Sequence, residues 1–264
     1  MPEQTAIPLD ASPIPLDEQV FIASIDRAAL ETQPCDHISL RDLFPPAFYR
    51  QLLDAIPPVR YFHELRHRDA IQPDGRSTRL RLYLYPEQLW LLPPAVRARW
   101  APLARLLMSK PLEDAFKRKF QRALEARFGC PIDRLKFYPI PLVVRDLPGY
   151  RIGIHADVPK KAITVQFYLP RDESQKHLGT VFHEGPSGEA ALRTRKMQFL
   201  PASGYAFPVQ KEESWHSAET TTPADGERVS IMLTYYVQNT PSLWFLRRYE
   251  RLLSFLGMPP NPKI

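Results

Sequence analysis

The sequence predicts an α+β protein in which helical segments come first and an antiparallel β sandwich or barrel follows. Three observations carry that expectation. Before Cys130 there are stretches with apolar side chains at helical spacing. After Cys130 the texture changes to short strand-like runs separated by Gly, Pro, Ser and Asp clusters, the punctuation of an antiparallel sandwich or barrel. Helices precede strands instead of alternating with them, which argues for segregated α+β layers and against a parallel βαβ sheet.

Taken in order, residues 1–18 carry prolines at positions 2, 8, 13 and 15 and are expected to run extended over the surface. Residues 19–264 are read as one domain: a helical and lid part over about 19–130, a β core over about 131–240 and a C-terminal helix over about 241–258. From Ser39, "SLRDLFPPAFYRQLLDAIPP" has helical apolar spacing and a double-proline stop. The clearest helix is "SKPLEDAFKRKFQRALEARFG". In it Leu112, Phe116, Phe120 and Leu124 recur every four residues, Pro111 suits the first turn, Glu113 and Asp114 complement the amino-terminal dipole, and Gly129 ends it. Eight runs then read as strands: "DRLKFYPIPLVVRD", "YRIGIHAD", "AITVQFYLP", "GTVFHEG", "RKMQFLP", "GYAFPVQ", "SWHSAE" and "RVSIMLTYYVQ". The last segment, "PSLWFLRRYERLLSFLG", returns to helical period with Leu243, Leu246, Tyr249 or Leu253, and Leu256 on one side, a face expected to pack on the body or on a second copy in a homodimer.

Composition narrows the function. With 264 residues, 44% of them hydrophobic, the chain can bury one large core. The net charge of +6 invites a nucleic-acid reading, but 35 basic residues are interleaved with 29 acidic ones, which weighs against it. The exception is residues 60–81, where Arg60, Arg66, Arg68, Arg76, Arg79 and Arg81 stand among few acids and would suit the rim of a site for an anionic small molecule. Arg145 and Arg151, with Lys160 and Lys161, would join that rim. The opening residues are acidic where a secretory signal is basic, and no apolar run is long enough for a membrane span. Only Cys35 and Cys130 are present, far apart, so neither a disulfide framework nor a thiolate metal cage is expected, and a cytoplasmic, reducing location fits.

The chemistry concentrates in three residues. In "YRIGIHAD", His155 and Asp157 are two apart, so on a strand they share one face. His216 lies in a later strand-like run, "SWHSAE". Two imidazoles and one carboxylate on one side of a metal leave the opposite positions open, which suits non-haem Fe(II) oxygenases. A solitary His is usually structural, and His63, His67, His177 and His183 are read that way. Arg228 and Ser230, downstream in "RVSIML", share a strand face. A buried arginine needs an anionic partner, none is evident nearby in sequence, and a dicarboxylate co-substrate would supply one. On "AITVQFYLP", Thr164, Gln166 and Tyr168 form the polar face, and Gln166 and Tyr168 are candidates to line the co-substrate pocket.

The combination "HAD", "SWH" and "RVS" resembles the iron- and 2-oxoglutarate-dependent oxygenase superfamily over about residues 135–238. The resemblance implies a double-stranded β-helix, a cupin-like jelly roll of two sheets, buttressed by the N-terminal helices. It implies His155, Asp157 and His216 as Fe(II) ligands, Arg228 as the grip on the distal carboxylate of 2-oxoglutarate with Ser230 assisting, and O2 as the second co-substrate. Hydroxylation of a small molecule with release of succinate and CO2 is the implied outcome. Asp157 stands where the superfamily's halogenases leave a halide position, and Thr234 stands where its nucleic-acid demethylases have a second arginine; both departures turn the expectation toward metabolite hydroxylation. Collagen-type prolyl hydroxylases usually carry lysine where Arg228 stands. Two alternatives stay open: a cupin-like metal-dependent isomerase or lyase, and a non-catalytic jelly roll that binds glycan or protein.

Overall fold

The computed structural model describes residues 12–66, 68–187, 193–238 and 241–257. His67, the first eleven residues of the extended N-terminal segment and the side chain of Leu243 lie outside that description.

Seven helices are described: α1 Glu18–Arg27, α2 Pro46–Asp54, α3 Pro86–Leu89, α4 Pro94–Leu107, α5 Lys110–Lys119, α6 Gln121–Phe128 and α7 Pro241–Phe255. The strands are β1 Leu30–Glu31, β2 His37–Leu40, β3 His63–Glu64, β4 Arg79–Tyr83, β5 Phe137–Asp146, β6 Ile152–His155, β7 Lys161–Tyr168, β8 Thr180–His183, β9 Thr194–Met197, β10 Gly204–Pro208, β11 Trp215–Ala218 and β12 Arg228–Val237. Each of the eight runs read as strands after Cys130 matches one strand, β5 to β12, although β7 and β9 begin one residue before their runs. All recorded pairings are antiparallel, in an eight-stranded sheet ordered β1-β2-β10-β7-β12-β5-β4-β3 and a four-stranded sheet ordered β6-β11-β8-β9. This is the expected jelly roll, with one correction to the segregation of helices and strands. Four short strands from the N-terminal half, β1 to β4, extend the large sheet at both edges, where short edge pairing suffices.

Alternation divides the large sheet into two environments. On β12, Val229, Ile231, Leu233 and Tyr235 face the helices and join Phe21, Phe48, Trp100, Phe116 and Phe167 in the main core. The alternate residues turn toward the small sheet, where Tyr168, Phe182, Phe199, Tyr205 and Phe207 form a second, aromatic core. The site lies between the two sheets.

Two helical expectations change. The single helix expected over 109–129 breaks at Phe120, whose backbone leaves the helical region (φ −109°, ψ 19°). A strict four-residue repeat drifts by about 40° per step on a 3.6-residue helix, so one break lets Leu112, Phe116, Phe120 and Leu124 all stay buried. The C-terminal helix packs differently from expectation: of the expected stripe, Leu246 and Leu253 are half-buried while Tyr249 and Leu256 are exposed. Its polar side chains Arg247, Glu250, Arg251 and Ser254 face the body, while Phe245, Tyr249, Leu252 and Leu256 are exposed. Charge and aromatic contacts hold it there: Arg251 makes a fork to Glu87 of α3 (2.6 and 2.7 Å) and lies over Tyr85, and Arg247 lies over Tyr236. Helix α1, capped by Asp17 through the backbone N–H groups of Gln19 and Val20, begins at the end of the expected extended segment.

Candidate metal centre

His155 ends β6 and His216 is its direct cross-strand partner on β11, so the pairing register alone brings the two imidazoles together, with ring centroids 4.2 Å apart. Each ring is fixed by the same local device. His155 Nδ1 lies 3.0 Å from the carbonyl of Gly153, and His216 Nδ1 lies 3.0 Å from that of Ser214. A carbonyl only accepts, so Nδ1 carries the proton in both rings and Nε2 is left with its lone pair for a metal. Phe207 stands edge-on to His216 at 5.0 Å and limits its rotation.

Asp157 lies in the loop after β6, not on the strand face the spacing suggests, because the strand stops at His155. Its placement comes from β7: Thr164 Oγ1 donates to Oδ2 at 2.7 Å and Lys161 Nζ to Oδ1 at 2.5 Å. Burial alone would raise the Asp157 carboxyl, but Lys161, His216 and these hydrogen bonds outweigh it and hold the group far below the usual carboxylate range. Burial lowers His216 to about 4, so at neutral pH the imidazole is uncharged, as a ligand must be. One ligand atom from each of His155, Asp157 and His216 lies within 4.8 Å of the others, a donor set of two nitrogens and one oxygen that one ion can draw together.

A second buried group lies deeper in the barrel. Arg79, Asp146 and Arg228 are successive cross-strand partners on β4, β5 and β12. Arg228 donates Nε and Nη2 to Asp146 at 3.1 and 2.8 Å and Nη1 to the carbonyl of Leu178 at 2.6 Å. Arg79 donates Nε to the same carboxylate at 2.7 Å. The expectation that Arg228 lacks a protein anion is therefore corrected: Asp146 is that anion, 82 residues away in sequence and directly opposite in the sheet. Two guanidiniums on one carboxylate still leave a charge of +1. Tyr150, set in place after the turn at Gly149 (φ +90°), has both guanidiniums over its ring at 4.5 and 5.3 Å, and its buried hydroxyl has no hydrogen-bond partner among the described residues. Asp69 acts electrostatically on the Tyr150 hydroxyl from outside this three-group cluster, and the idle hydroxyl leaves one buried donor beside the two guanidiniums.

Gln166, Tyr168 and Ser230 are buried and inward-facing. Tyr205 donates to Gln166 Oε1 and Gln166 Nε2 donates to Ser230 Oγ, both at 2.7 Å; Tyr168 Oη accepts from the backbone N–H of Thr180 at 3.1 Å. The expected basic rim does not assemble. Arg66 is exposed beside Glu64, and Arg151 is exposed just before β6. Arg145, adjacent to Asp146 on a strand, necessarily faces the other way; it pairs with Glu227 and lies over Phe62, outside the barrel. Arg79 belongs to the buried cluster. Of the five, Arg81 alone lines an inner cavity. The sequence reading missed Asp146 and Tyr150 and placed Lys161 on the rim, whereas Lys161 bonds the Asp157 carboxylate. The acidic end of "LVVRD" was the only available signal.

No protein-family model and no curated relative matches the chain. Solved structures do. A prolyl 4-hydroxylase from Phytophthora capsici superposes with a TM-score of 0.53 over 88% of this chain and 70% of its own, at 13% identity. One from Pseudomonas putida gives 0.51 over 83% of this chain and all of its own, at 14% identity. At that identity the likeness establishes the fold, the double-stranded β-helix.

Proposed function

We propose that this chain is an Fe(II)- and 2-oxoglutarate-dependent dioxygenase that hydroxylates an unactivated C–H bond of a small anionic metabolite or biosynthetic intermediate, with release of succinate and CO2. The observation that carries the reading is that one ligand atom from each of His155, Asp157 and His216 lies within 4.8 Å of the others, with both Nδ1 atoms already engaged by backbone carbonyls. The three would hold Fe(II), and the Arg79–Asp146–Arg228 cluster with Tyr150 would receive the far carboxylate of 2-oxoglutarate. Bound there, the metal and its co-substrate would supply dioxygen activation coupled to decarboxylation. The protein's own contribution is positional. Gly153 and Ser214 carbonyls hold the imidazoles in the ligating tautomer, Thr164 and Lys161 keep Asp157 ionised, and the rings of Phe182 and Phe207 pack against His216. Hydroxylation is also what the names of the two fold neighbours describe.

The test is anaerobic addition of Fe(II) and 2-oxoglutarate to the purified chain. The reading expects a weak visible metal-to-ligand charge-transfer band and, on admitting O2, succinate. A second reading is favoured by the Asp146 ion pair, which gives Arg228 a use without any co-substrate: a cupin-like metal-dependent isomerase or lyase. That reading expects bound metal and no band.

Further parts of the proposal are a single oxygenase domain over residues 19–264, a cytoplasmic location and a homodimer through the C-terminal helix. The exposed stripe Phe245, Tyr249, Leu252 and Leu256 supports the dimer, and light scattering on the protein with and without Phe245→Glu tests it. Among the described residues no helix is long and apolar enough to cross a membrane.

A further inference from the structure

Between the inner face of β4, β5 and β12 and the polar side of α7 lies a cavity of about 220 Å³. Its walls are tyrosine-rich: Tyr83, Tyr85, Tyr138 and Tyr236 line it, and the rings of Tyr83 and Tyr85 stack at 5.5 Å. It borders the metal centre through one side chain, Lys161, which lines the cavity and bonds Asp157.

Among the described residues four cations line this cavity, and three are paired with carboxylates. Lys161 pairs with Asp157 at 2.5 Å, Arg247 with Glu250 at 2.8 Å and Arg251 with Glu87 at 2.6 Å. The fourth, Arg81, is 8% exposed and makes no hydrogen bond or ion pair with any described residue; its Nε is buried and unpartnered. Its guanidinium carbon lies 5.2 Å from the centre of the Tyr83 ring, over its face. An arginine stacked on a ring keeps its N–H edge in plane for a carboxylate, and a buried guanidinium without an anion is too costly to be a packing residue.

Resting on the oxygenase reading, we infer that this cavity is the anion subsite of the primary substrate, with Arg81 as counter-ion to the carboxylate of a small, flat or aromatic acid held among the tyrosines beside the metal. The cavity is below the roughly 300–1,000 Å³ typical of drug-sized ligands, which limits the occupant to a small acid. Helix α7, clasped by Arg251 and Glu87, roofs it, so the subsite is completed by the C-terminal segment.

The experiment titrates the full-length, metal-free protein calorimetrically with benzoate and with benzamide, its uncharged counterpart. Wild type is expected to bind benzoate and to bind benzamide at least roughly tenfold more weakly; Arg81→Gln is expected to weaken benzoate by roughly thirtyfold or more. Arg81→Lys restores only part, because a point charge lacks the fork; should Arg81→Gln fail to fold, Arg81→Lys against wild type carries the same comparison. In parallel, the Fe(II)–2-oxoglutarate band of Arg81→Gln is expected at wild-type affinity. Equal benzoate binding by wild type and both variants, or none by wild type, overturns the inference and leaves the oxygenase reading untouched. Loss of 2-oxoglutarate binding in Arg81→Gln overturns it too, by assigning Arg81 to the co-substrate. A wild-type protein that gives no band yet binds benzoate through Arg81 sinks the oxygenase reading and keeps the subsite.

Discussion

Replacing Arg228 with alanine separates a co-substrate seat from a structural ion pair, and the cluster around it sets the expected sizes. Arg228 gives Asp146 two hydrogen bonds and Leu178 one, while Arg79 gives the same carboxylate its own bond at 2.7 Å. Asp146 is therefore not orphaned by the substitution. The usual loss of about 3–5 kcal/mol for stranding a buried charge does not apply, and the expected destabilisation is closer to that of charge-assisted hydrogen bonds, about 1.5–3 kcal/mol. The charge of the cluster falls from +1 to zero. A carboxylate entering it then meets Asp146 without the second guanidinium, at a loss of about 2–5 kcal/mol, or roughly thirtyfold to several thousandfold in 2-oxoglutarate affinity.

The assay is anaerobic titration of the Fe(II) form with 2-oxoglutarate, followed by the visible band, with metal content and thermal unfolding measured on the same samples. Asp146→Asn is the opposite perturbation. It raises the cluster to +2, so the fold should weaken and the co-substrate should bind more tightly. An Arg228→Ala protein that folds, keeps its iron and binds 2-oxoglutarate at wild-type strength would refute the assignment and leave Arg228 as a purely structural partner of Asp146.

Alanine at His155, Asp157 or His216 is expected to lower bound iron and abolish iron-dependent succinate formation, measured by metal analysis and product assay; full succinate production by His216→Ala would contradict the site. Ser230→Ala should cost about 0.5–1.5 kcal/mol in co-substrate affinity by titration, and a similar amount in melting experiments, because Gln166 Nε2 loses its acceptor. The metal-free protein should lose stability with acid. His216 is lowered from 6.5 to about 4 by burial, so the unfolded chain binds more protons between those values. The contribution is complete above pH 6.5 and falls as pH drops toward 4, by up to roughly 3 kcal/mol. Urea unfolding of chelator-treated protein at pH 7 and pH 4.5 measures it, and His216→Asn should flatten that limb.

What was legible in the sequence follows from the range over which each feature is determined. The eight strand runs after Cys130 and the stripe Leu112, Phe116, Phe120, Leu124 are local patterns, and the fold keeps them. The His-x-Asp spacing is local too, and it located the site even though Asp157 reaches it from a loop and not from the strand. The partner of Arg228 is a different kind of fact. Asp146 stands opposite it only because β5 and β12 pair in one register over ten residue pairs, and a shift of one residue would turn Arg145 inward in its place. The charges of residues 60–81 were read as a rim because composition reports sign and not direction. Alternation and ring contacts decide direction. Arg79 and Arg81 point inward from β4, Arg145 points outward from β5, and Arg66 stays in solvent.

Helix α7 extends the same argument to a whole element. Its apolar period is real and half-buries Leu246 and Leu253, yet the helix docks chiefly through Arg247 and Arg251 on tyrosine faces and carboxylates, leaving Tyr249 and Leu256 of that period outside. Hydrophobic period finds a helix. It identifies the buried face only where the surface awaiting that helix is apolar, and here the awaiting surface is the tyrosine-lined mouth of a barrel with a buried cation at its floor.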